Sequence, residues 1–67
     1  MKRMRKFLRL TDVIDSEGIY INPEHVVAVY KAYIDSTSEE ISTIETVDGD
    51  TYHVRESAER VVSLCEQ

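Results

Sequence analysis

The chain begins with two short runs in which apolar and polar residues alternate, and a cluster of turn-forming residues separates them. In KFLRLTDV at residues 6–13, Leu8 and Leu10 share one face of an extended strand, and Phe7 and Arg9 share the other. In GIYIN at residues 18–22, Ile19 and Ile21 face one way and Tyr20 the other. The intervening DSEG at residues 15–18 is typical of a turn. Pro23 ends the second run because proline donates no hydrogen bond to a β-ladder. The pattern predicts two strands, followed by a single turn capped by Asn22.

The next run, VVAVYKAYI at residues 26–34, has the strongest β-propensity in the chain. Val27, Val29 and Tyr33 fall on one face, and the opposite face is also largely apolar. Strands that are apolar on both faces are typical of the middle of a sheet. We therefore expect a central strand with a partner on each side, or a strand with one face covered by a second subunit. An uncovered stripe of Val27, Val29 and Tyr33 would favour aggregation of a monomer.

Asp48-Gly49 predicts a hairpin, for which two registers compete. A two-residue turn would mix apolar and charged side chains on both faces. A three-residue loop at residues 47–49, with Gly49 in the left-handed bulge position, places Ile44 opposite Tyr52 and Val54 on the same side. A slip of one residue moves every side chain to the other face, so the hydrophobic pattern decides between registers. It favours the three-residue loop.

This register leaves a polar face on which His53 and Arg55 lie beside Glu45. Cross-strand pairing of charges explains such residues, and each pair contributes a few tenths to about 1 kcal/mol. Catalysis would need a nucleophile or a paired acid within reach, and the neighbouring positions offer only threonine hydroxyls and one glutamate. We expect no catalytic residues.

The last eleven residues, SAERVVSLCEQ, change to a helical period. Ser57 is a favourable N-cap, and Glu59 suits the positive end of a helix. The apolar stripe comprises Ala58, Val61, Val62, Leu64 and Cys65. A helix this short does not persist alone in water, so its stripe must dock on a sheet.

At 67 residues the chain is one small domain whose core needs support. Such a core rarely supplies more than roughly 3–5 kcal/mol without a disulfide, a metal or a partner chain. Cys65 is the single cysteine, and we interpret it as a small buried hydrophobe rather than a reactive thiol. His25 and His53 lie far apart without a nearby cysteine, so we expect no metal site and no cofactor. By elimination, we expect self-association into a homo-oligomer.

Charge divides the chain into a basic N-terminal arm, residues 1–6, and a single domain, residues 7–67. Residues 1–9 contain five bases and no acid, which leaves three bases against 13 acids in the remainder. The arm could reach an anionic ligand, an acidic surface of its own body or of a neighbouring subunit, or solvent. The whole chain has a pI near 4.8 and its body is more acidic still, which excludes nucleic-acid binding over the whole surface.

The alternative ligand site combines the bases of the arm with tyrosines that could stack on a base. It comprises Lys2, Arg3, Arg5, Lys6, Arg9, Tyr30 and Tyr33, and Tyr20 is a further candidate for stacking. No apolar run approaches the ~20 residues that span a bilayer. No signal-peptide core follows the basic start, and only one cysteine is present. We therefore expect a cytoplasmic protein without membrane insertion.

Two segments of the chain resemble the small FlbD/SwrD family of bacterial flagellar and swarming-motility proteins. They are IYINPEHVVAVYKA and ISTIETVDGDTYHVRESAERVV. The resemblance covers roughly residues 17–64, but DSTSEE at residues 35–40 is longer than the family's connection, and the basic arm is additional. The matching positions are Ile21-Asn22-Pro23, Thr43-Ile44, Gly49, Tyr52, Val54, Glu56 and Ser57. The resemblance implies a cytoplasmic, non-enzymatic interaction protein with a link to motility, and it supplies no catalytic residues.

These patterns predict an α+β fold: a small bent antiparallel sheet or partial barrel of about four strands with one C-terminal helix. For function, we expect a non-enzymatic protein-interaction or assembly module of a bacterium or phage, with Val27, Val29 and Tyr33 at its interface. The alternative is a binder of a nucleotide or nucleic acid, for example a phage protein that sequesters a nucleotide through the basic arm.

Overall fold

A computed structural model describes residues 7–34 and 39–67 of the chain. The described part contains five strands, one 3₁₀ turn and one α-helix. In chain order these are β1 (Leu8–Thr11), β2 (Gly18–Ile21), the 3₁₀ turn (Pro23–His25), β3 (Val26–Tyr33), β4 (Glu40–Thr46), β5 (Thr51–Val54) and α1 (Ala58–Cys65). The predicted basic arm and most of the predicted DSTSEE loop lie outside the described residues.

The strands form two small antiparallel sheets, β1-β2 and β3-β4-β5, which meet along a short length of backbone. Asp12 forms an isolated bridge with Val54. On either side of it, the Arg55 N–H donates to Thr11 O at 2.8 Å and the Val13 N–H donates to His53 O at 3.1 Å. The residues that follow β1 therefore meet the end of β5 through this bridge, and the two sheets do not close into a barrel. The predicted α+β fold is confirmed, with five strands in two sheets.

The core lies between the two sheets and the helix. Its buried side chains are Leu8, Leu10 and Ile21 from the first sheet, Ile44 and Val54 from the second, and Val61 from α1. Each sheet is too small to bury an apolar face alone, because two-stranded hairpins are marginal in water. The three parts therefore share one hydrophobic core. The faces predicted for Leu8, Leu10 and Ile21 are confirmed.

The β4–β5 hairpin has the predicted three-residue loop. Ile44 lies opposite Tyr52, the Thr46 N–H donates to Asp50 O at 3.0 Å, and Gly49 has a φ of +91°. Nothing lies within 4 Å of a Cβ built on Gly49, so only the backbone conformation favours glycine there. The hydrophobic pattern selected the correct register.

In the β1–β2 turn, the left-handed residue is Ser16 with a φ of +62°, whereas Gly18 belongs to β2. The Asp12 carboxylate accepts from the Ile14 N–H at 2.7 Å and stabilises this turn. A Cβ on Gly18 would lie 3.3 Å from Arg9 Nε, so the absence of a side chain lets the guanidinium pack there. The turn was predicted, but the role of its glycine is packing rather than a special φ.

Within the described part of the chain, the prediction that residues 26–34 form a central strand is wrong, and the alternative, a face covered by a second subunit, stays a prediction. β3 is at the edge of its sheet, and β4 is the central strand. A register shift between Val26 and Ala28 also separates Val27 from the regular alternation of the strand. Val29 packs against the core, while Val27 is exposed. Apolar character on both faces indicated burial on both sides, but a helix covers the inner face here and the outer face stays open.

The C-terminal helix begins as predicted, with the Ser57 Oγ accepting from the Arg60 N–H at 3.2 Å. Val61 is buried, and Leu64 and Cys65 pack against the core. Val62, which the stripe placed against the sheet, is 41% exposed. No helix in residues 7–34 or 39–67 is long and apolar enough to cross a membrane.

Candidate functional site

The outer edge of β3 presents backbone hydrogen-bonding groups away from the sheet. The Ile34 N–H donates to Glu39 O at 3.0 Å, and the β3–β4 register continues this pairing to Ala28 opposite Glu45. Hydrogen-bonded and non-hydrogen-bonded pairs alternate in an antiparallel ladder. The backbone N–H and C=O groups of Ala28, Tyr30 and Ala32 therefore bond to β4. The same groups of Val29, Lys31 and Tyr33 point away from β4. In the described part of the chain, no strand lies beyond this edge.

Large side chains along the same edge are exposed. Val27 is 63% exposed, Tyr33 59% and Tyr30 49%. Tyr30 lies on the outer face, where its hydroxyl donates to Glu45 Oε1 at 3.3 Å. Tyr33 lies with Val29 on the inner face, which is the face that α1 covers, because residues an even number of positions apart in a strand lie on the same face. Of the predicted interface residues, Val27 and Tyr33 are open to a partner and Val29 is half-buried under the helix.

An apolar groove runs between the start of β3 and the end of α1. It has a volume of about 290 Å³, and its lining residues are Pro23, Val26, Val27, Ala28, Val29, Val62, Cys65 and Glu66. The outward position of Val62 forms one wall of this groove. Burial raises the pKa of the Cys65 thiol, and the nearby Glu66 carboxylate adds to the effect. The thiol is therefore protonated at neutral pH and contributes apolar surface, in keeping with the interpretation of Cys65 as a small hydrophobe.

An ion pair between Lys31 and Glu59 lies on the inner side of the β3 edge. Lys31 Nζ is 3.3 Å from Glu59 Oε2, and both side chains are largely exposed. The hydrogen bond to Glu59 raises the pKa of Lys31. The pKa of Glu59 is lowered, first by a bond from its own backbone N–H and then by Lys31. The Lys31 ammonium therefore remains charged at this edge.

A second cleft, of about 220 Å³, opens beside the β4–β5 turn. Its lining residues are Phe7, Tyr20, Ile21, Asn22, His25, Thr46, Asp48 and Tyr52. The Thr46 hydroxyl donates to Asp48 Oδ1 at 2.5 Å, and this bond lowers the pKa of Asp48. The neighbouring Asp50 carboxylate raises the pKa of Tyr52. The cleft combines three aromatic rings with an ionised carboxylate. The sequence alone did not indicate this cleft because Phe7, Tyr20 and Tyr52 are far apart along the chain.

Of the described residues predicted for an anionic ligand, only Arg9 and Tyr20 are brought together, opposite each other in the β1–β2 ladder. Lys2, Arg3, Arg5 and Lys6 lie outside the described residues. Tyr30 and Tyr33 are on β3, in the other sheet. These two tyrosines lie on opposite faces of β3 and do not form one stacking surface.

The polar face of the hairpin binds neighbouring groups, although not in the predicted pairs. His53 Nδ1 lies 3.1 Å from Thr43 Oγ1, and Arg55 Nη2 donates to Val13 O at 3.0 Å. Arg55 Nη1 is also 3.9 Å from Glu39 Oε2, whereas Glu45 accepts from Tyr30. Within the described ranges, no three His, Cys, Asp or Glu side chains are placed to hold a metal ion.

No family model, no curated protein and no solved structure matches this chain. The resemblance to the FlbD/SwrD family therefore stays a prediction that rests on the residues quoted above.

Proposed function

We propose that this protein is a non-enzymatic protein-interaction or assembly module that functions as a homo-oligomer in the cytoplasm of a bacterium or in a phage-infected cell. The observation that supports the proposal is the open edge of β3. This edge strand has eight residues, and three of its residues direct their backbone groups away from the sheet. The exposed Val27, Tyr30 and Tyr33 side chains flank it.

An edge of this kind is a template for pairing with another strand. Monomeric proteins protect their edges with short strands, charged side chains, β-bulges, prolines or covering segments. β3 carries two of these features, a bulge near Val27 and Lys31, but its regular part, residues 28–33, contains no proline and has room for a second strand to pair. The apolar groove beside it extends the surface that a partner would bury.

The small core provides a second argument. The described residues contain only seven buried apolar side chains: Leu8, Leu10, Ile21, Ile41, Ile44, Val54 and Val61. Domains of this size bury only about 60% of the surface that the unfolded chain exposes, so their stability is marginal. Pairing through β3 would add buried apolar area and hydrogen bonds.

Analytical ultracentrifugation across the micromolar range tests the proposal. We expect a sedimentation coefficient that rises with protein concentration toward that of a dimer or a larger assembly. Val27→Glu places a charge at the edge and should shift this transition to at least tenfold higher concentration, since each unpaired buried charge costs well over 1 kcal/mol.

Ile14→Glu is the matched control, because Ile14 is an exposed aliphatic residue in the β1–β2 turn, on another sheet. It should leave the assembly unchanged. A folded wild-type monomer at every concentration would contradict the proposal. The resemblance to the motility family agrees with an interaction protein, and a flagellar partner remains a prediction.

A second function, binding of a nucleotide or nucleic acid, is favoured by one observation. Phe7, the residue directly after the basic arm, lines the aromatic cleft with Tyr20 and Tyr52. The arm therefore joins the domain beside a surface on which a base could stack. The ionised Asp48 in the same cleft opposes a phosphate, which places this function second.

Isothermal titration with ATP and with an oligothymidylate tests the second function. We expect affinity that falls steeply with added NaCl, because arm residues would replace counterions on the phosphates. Tyr20→Ala should weaken binding about tenfold if the base stacks in the cleft, in line with the 1–3 kcal/mol of a base–aromatic stack. Tyr33→Ala, an equally exposed tyrosine on β3, is the control. Absence of binding at low salt would exclude this function.

A further inference from the structure

We propose that two copies of this chain pair antiparallel through β3, around a two-fold axis at Tyr30, and so form one continuous six-stranded sheet. The inference rests on the proposed homo-oligomer and adds its geometry. The strand order would be β5-β4-β3 followed by β3-β4-β5 of the partner. Each copy would contribute the outward N–H and C=O groups of Val29, Lys31 and Tyr33.

The hydrogen-bonding phase of β3 restricts the possible registers. Two residues that face each other across an antiparallel ladder either both direct their N–H and C=O groups toward the other strand or both direct them away from it. A residue of β3 whose groups point outward must therefore face another such residue. Side chains of facing residues also lie on the same side of the sheet. For a two-fold axis, this leaves three registers near the middle of the strand. They place Val29, Tyr30 or Lys31 opposite itself.

Charge repulsion and the number of regularly paired residues select one of the three registers. The Lys31 register brings two ammonium groups directly opposite each other, and like charges in that position are destabilising. The Val29 register overlaps the regular part of β3, residues 28–33, over only three residues because the bulge lies at Val27. The Tyr30 register overlaps it over five residues, 28–32, and places each Lys31 opposite the partner subunit's Val29.

On the outer face of β3, the side chains on either side of the two-fold axis are small in this register. Ala28 faces the partner subunit's Ala32, so only methyl groups flank the axis on either side. The phenol of Tyr30 reaches β4, where its hydroxyl bonds to Glu45. The two Tyr30 backbones can therefore approach to the roughly 4.5 Å between Cα atoms of a non-hydrogen-bonded pair.

The inner face supplies the apolar contact. Beyond the regular overlap, Tyr33 would lie next to the start of the partner subunit's β3, where Val27 lines the groove of about 290 Å³ between β3 and α1. Val62 and Cys65 form the helix side of that groove. The exposed Tyr33 ring of each copy would fill the groove of the other. The same register thus covers Val27, Val29 and Tyr33.

Disulfide trapping in a Cys65→Ser background tests the register. Tyr30→Cys should form a disulfide-linked dimer under mild oxidation, because about 4.5 Å between Cα atoms lies within the range that a disulfide spans. We expect at least half of the chain to run as a dimer on a non-reducing gel. Ala32→Cys is the matched control: the same residue in the two copies would be about 13 Å apart, since each residue adds about 3.3 Å along a strand.

Lys31→Cys tests the register in which Lys31 lies opposite itself, because two copies of this variant would form a disulfide efficiently only if residue 31 lay on the two-fold axis. Circular dichroism and ultracentrifugation of each reduced variant verify folding and assembly. Trapping of Lys31→Cys or Ala32→Cys in place of Tyr30→Cys, with a dimer in the ultracentrifuge, would overturn the register but leave the homo-oligomer intact. A folded monomer without trapping at any position would overturn both proposals.

Discussion

The Leu10→Ala variant is expected to be largely unfolded at 25 °C. Leu10 is 0% exposed and lies in β1, where it contributes to the core shared by both sheets. Replacing a buried leucine by alanine removes about 2–5 kcal/mol of stability, part of it through the cavity left behind. A single core of this size supplies only about 3–5 kcal/mol. The substitution therefore removes most of the free energy of unfolding.

Urea denaturation followed by circular dichroism measures this effect. The wild type should show one cooperative transition, because Leu10 packs with Ile44, Val54 and Val61 from the other parts of the fold. In Leu10→Ala, the midpoint should fall close to zero urea.

Ile14→Ala is the control for Leu10→Ala, since Ile14 is an isomeric side chain that is 88% exposed in the adjacent turn. It should change stability by less than about 0.5 kcal/mol. A loss below 1 kcal/mol in Leu10→Ala would mean that β1 and β2 contribute little to the core. That result would contradict a single core between the two sheets.

Glu56→Ala is expected to lower the free energy of unfolding by about 1.5–3 kcal/mol, the range for hydrogen bonds to a charged group. One carboxylate oxygen of Glu56 accepts from the Thr11 N–H at 3.0 Å, and the other accepts from the Thr11 hydroxyl at 3.0 Å. Glu56 precedes α1, and Thr11 ends β1. This side chain therefore joins the first hairpin to the start of the helix, and its loss leaves the part-buried Thr11 N–H without that partner.

Chemical denaturation of three variants isolates the contribution of the carboxylate. Thr11→Val removes only the hydroxyl bond and should cost about half as much as Glu56→Ala. Glu66→Ala, at an exposed glutamate after the helix, should leave stability within about 0.5 kcal/mol of the wild type. Equal small losses in all three variants would show that Glu56 does not hold the hairpin.

Local patterns predicted the parts of this fold whose determinants are close in sequence. The loop with Gly49 at positive φ and the pairing of Ile44 with Tyr52 follow from alternation across a few residues. The cap at Ser57 follows from hydroxyl chemistry at a helix start. In each case the interacting groups lie within about ten residues, so the pattern contains both partners.

The position of β3 was not predictable in the same way. Its apolar residues indicated a strand with both faces covered, and the structure places the strand at an edge with α1 over one face only. The bulge near Val27 has no signature in the residues themselves. Strand order depends on which segments compete for each edge, and a local pattern does not contain that competition.

The sequence by itself determined the class of fold, the hairpin register, the helix start and the residues that need burial, because hydrophobic period and turn chemistry are local properties. Only the tertiary structure decided that Asp12, directly after β1, pairs with Val54 at the end of β5 and that Glu56 bonds to Thr11 across 45 positions. It also decided that Phe7, Tyr20 and Tyr52 line one cleft and that the backbone of Val29, Lys31 and Tyr33 faces outward. These features depend on contacts between distant segments, which form only when the shared core brings the two sheets together.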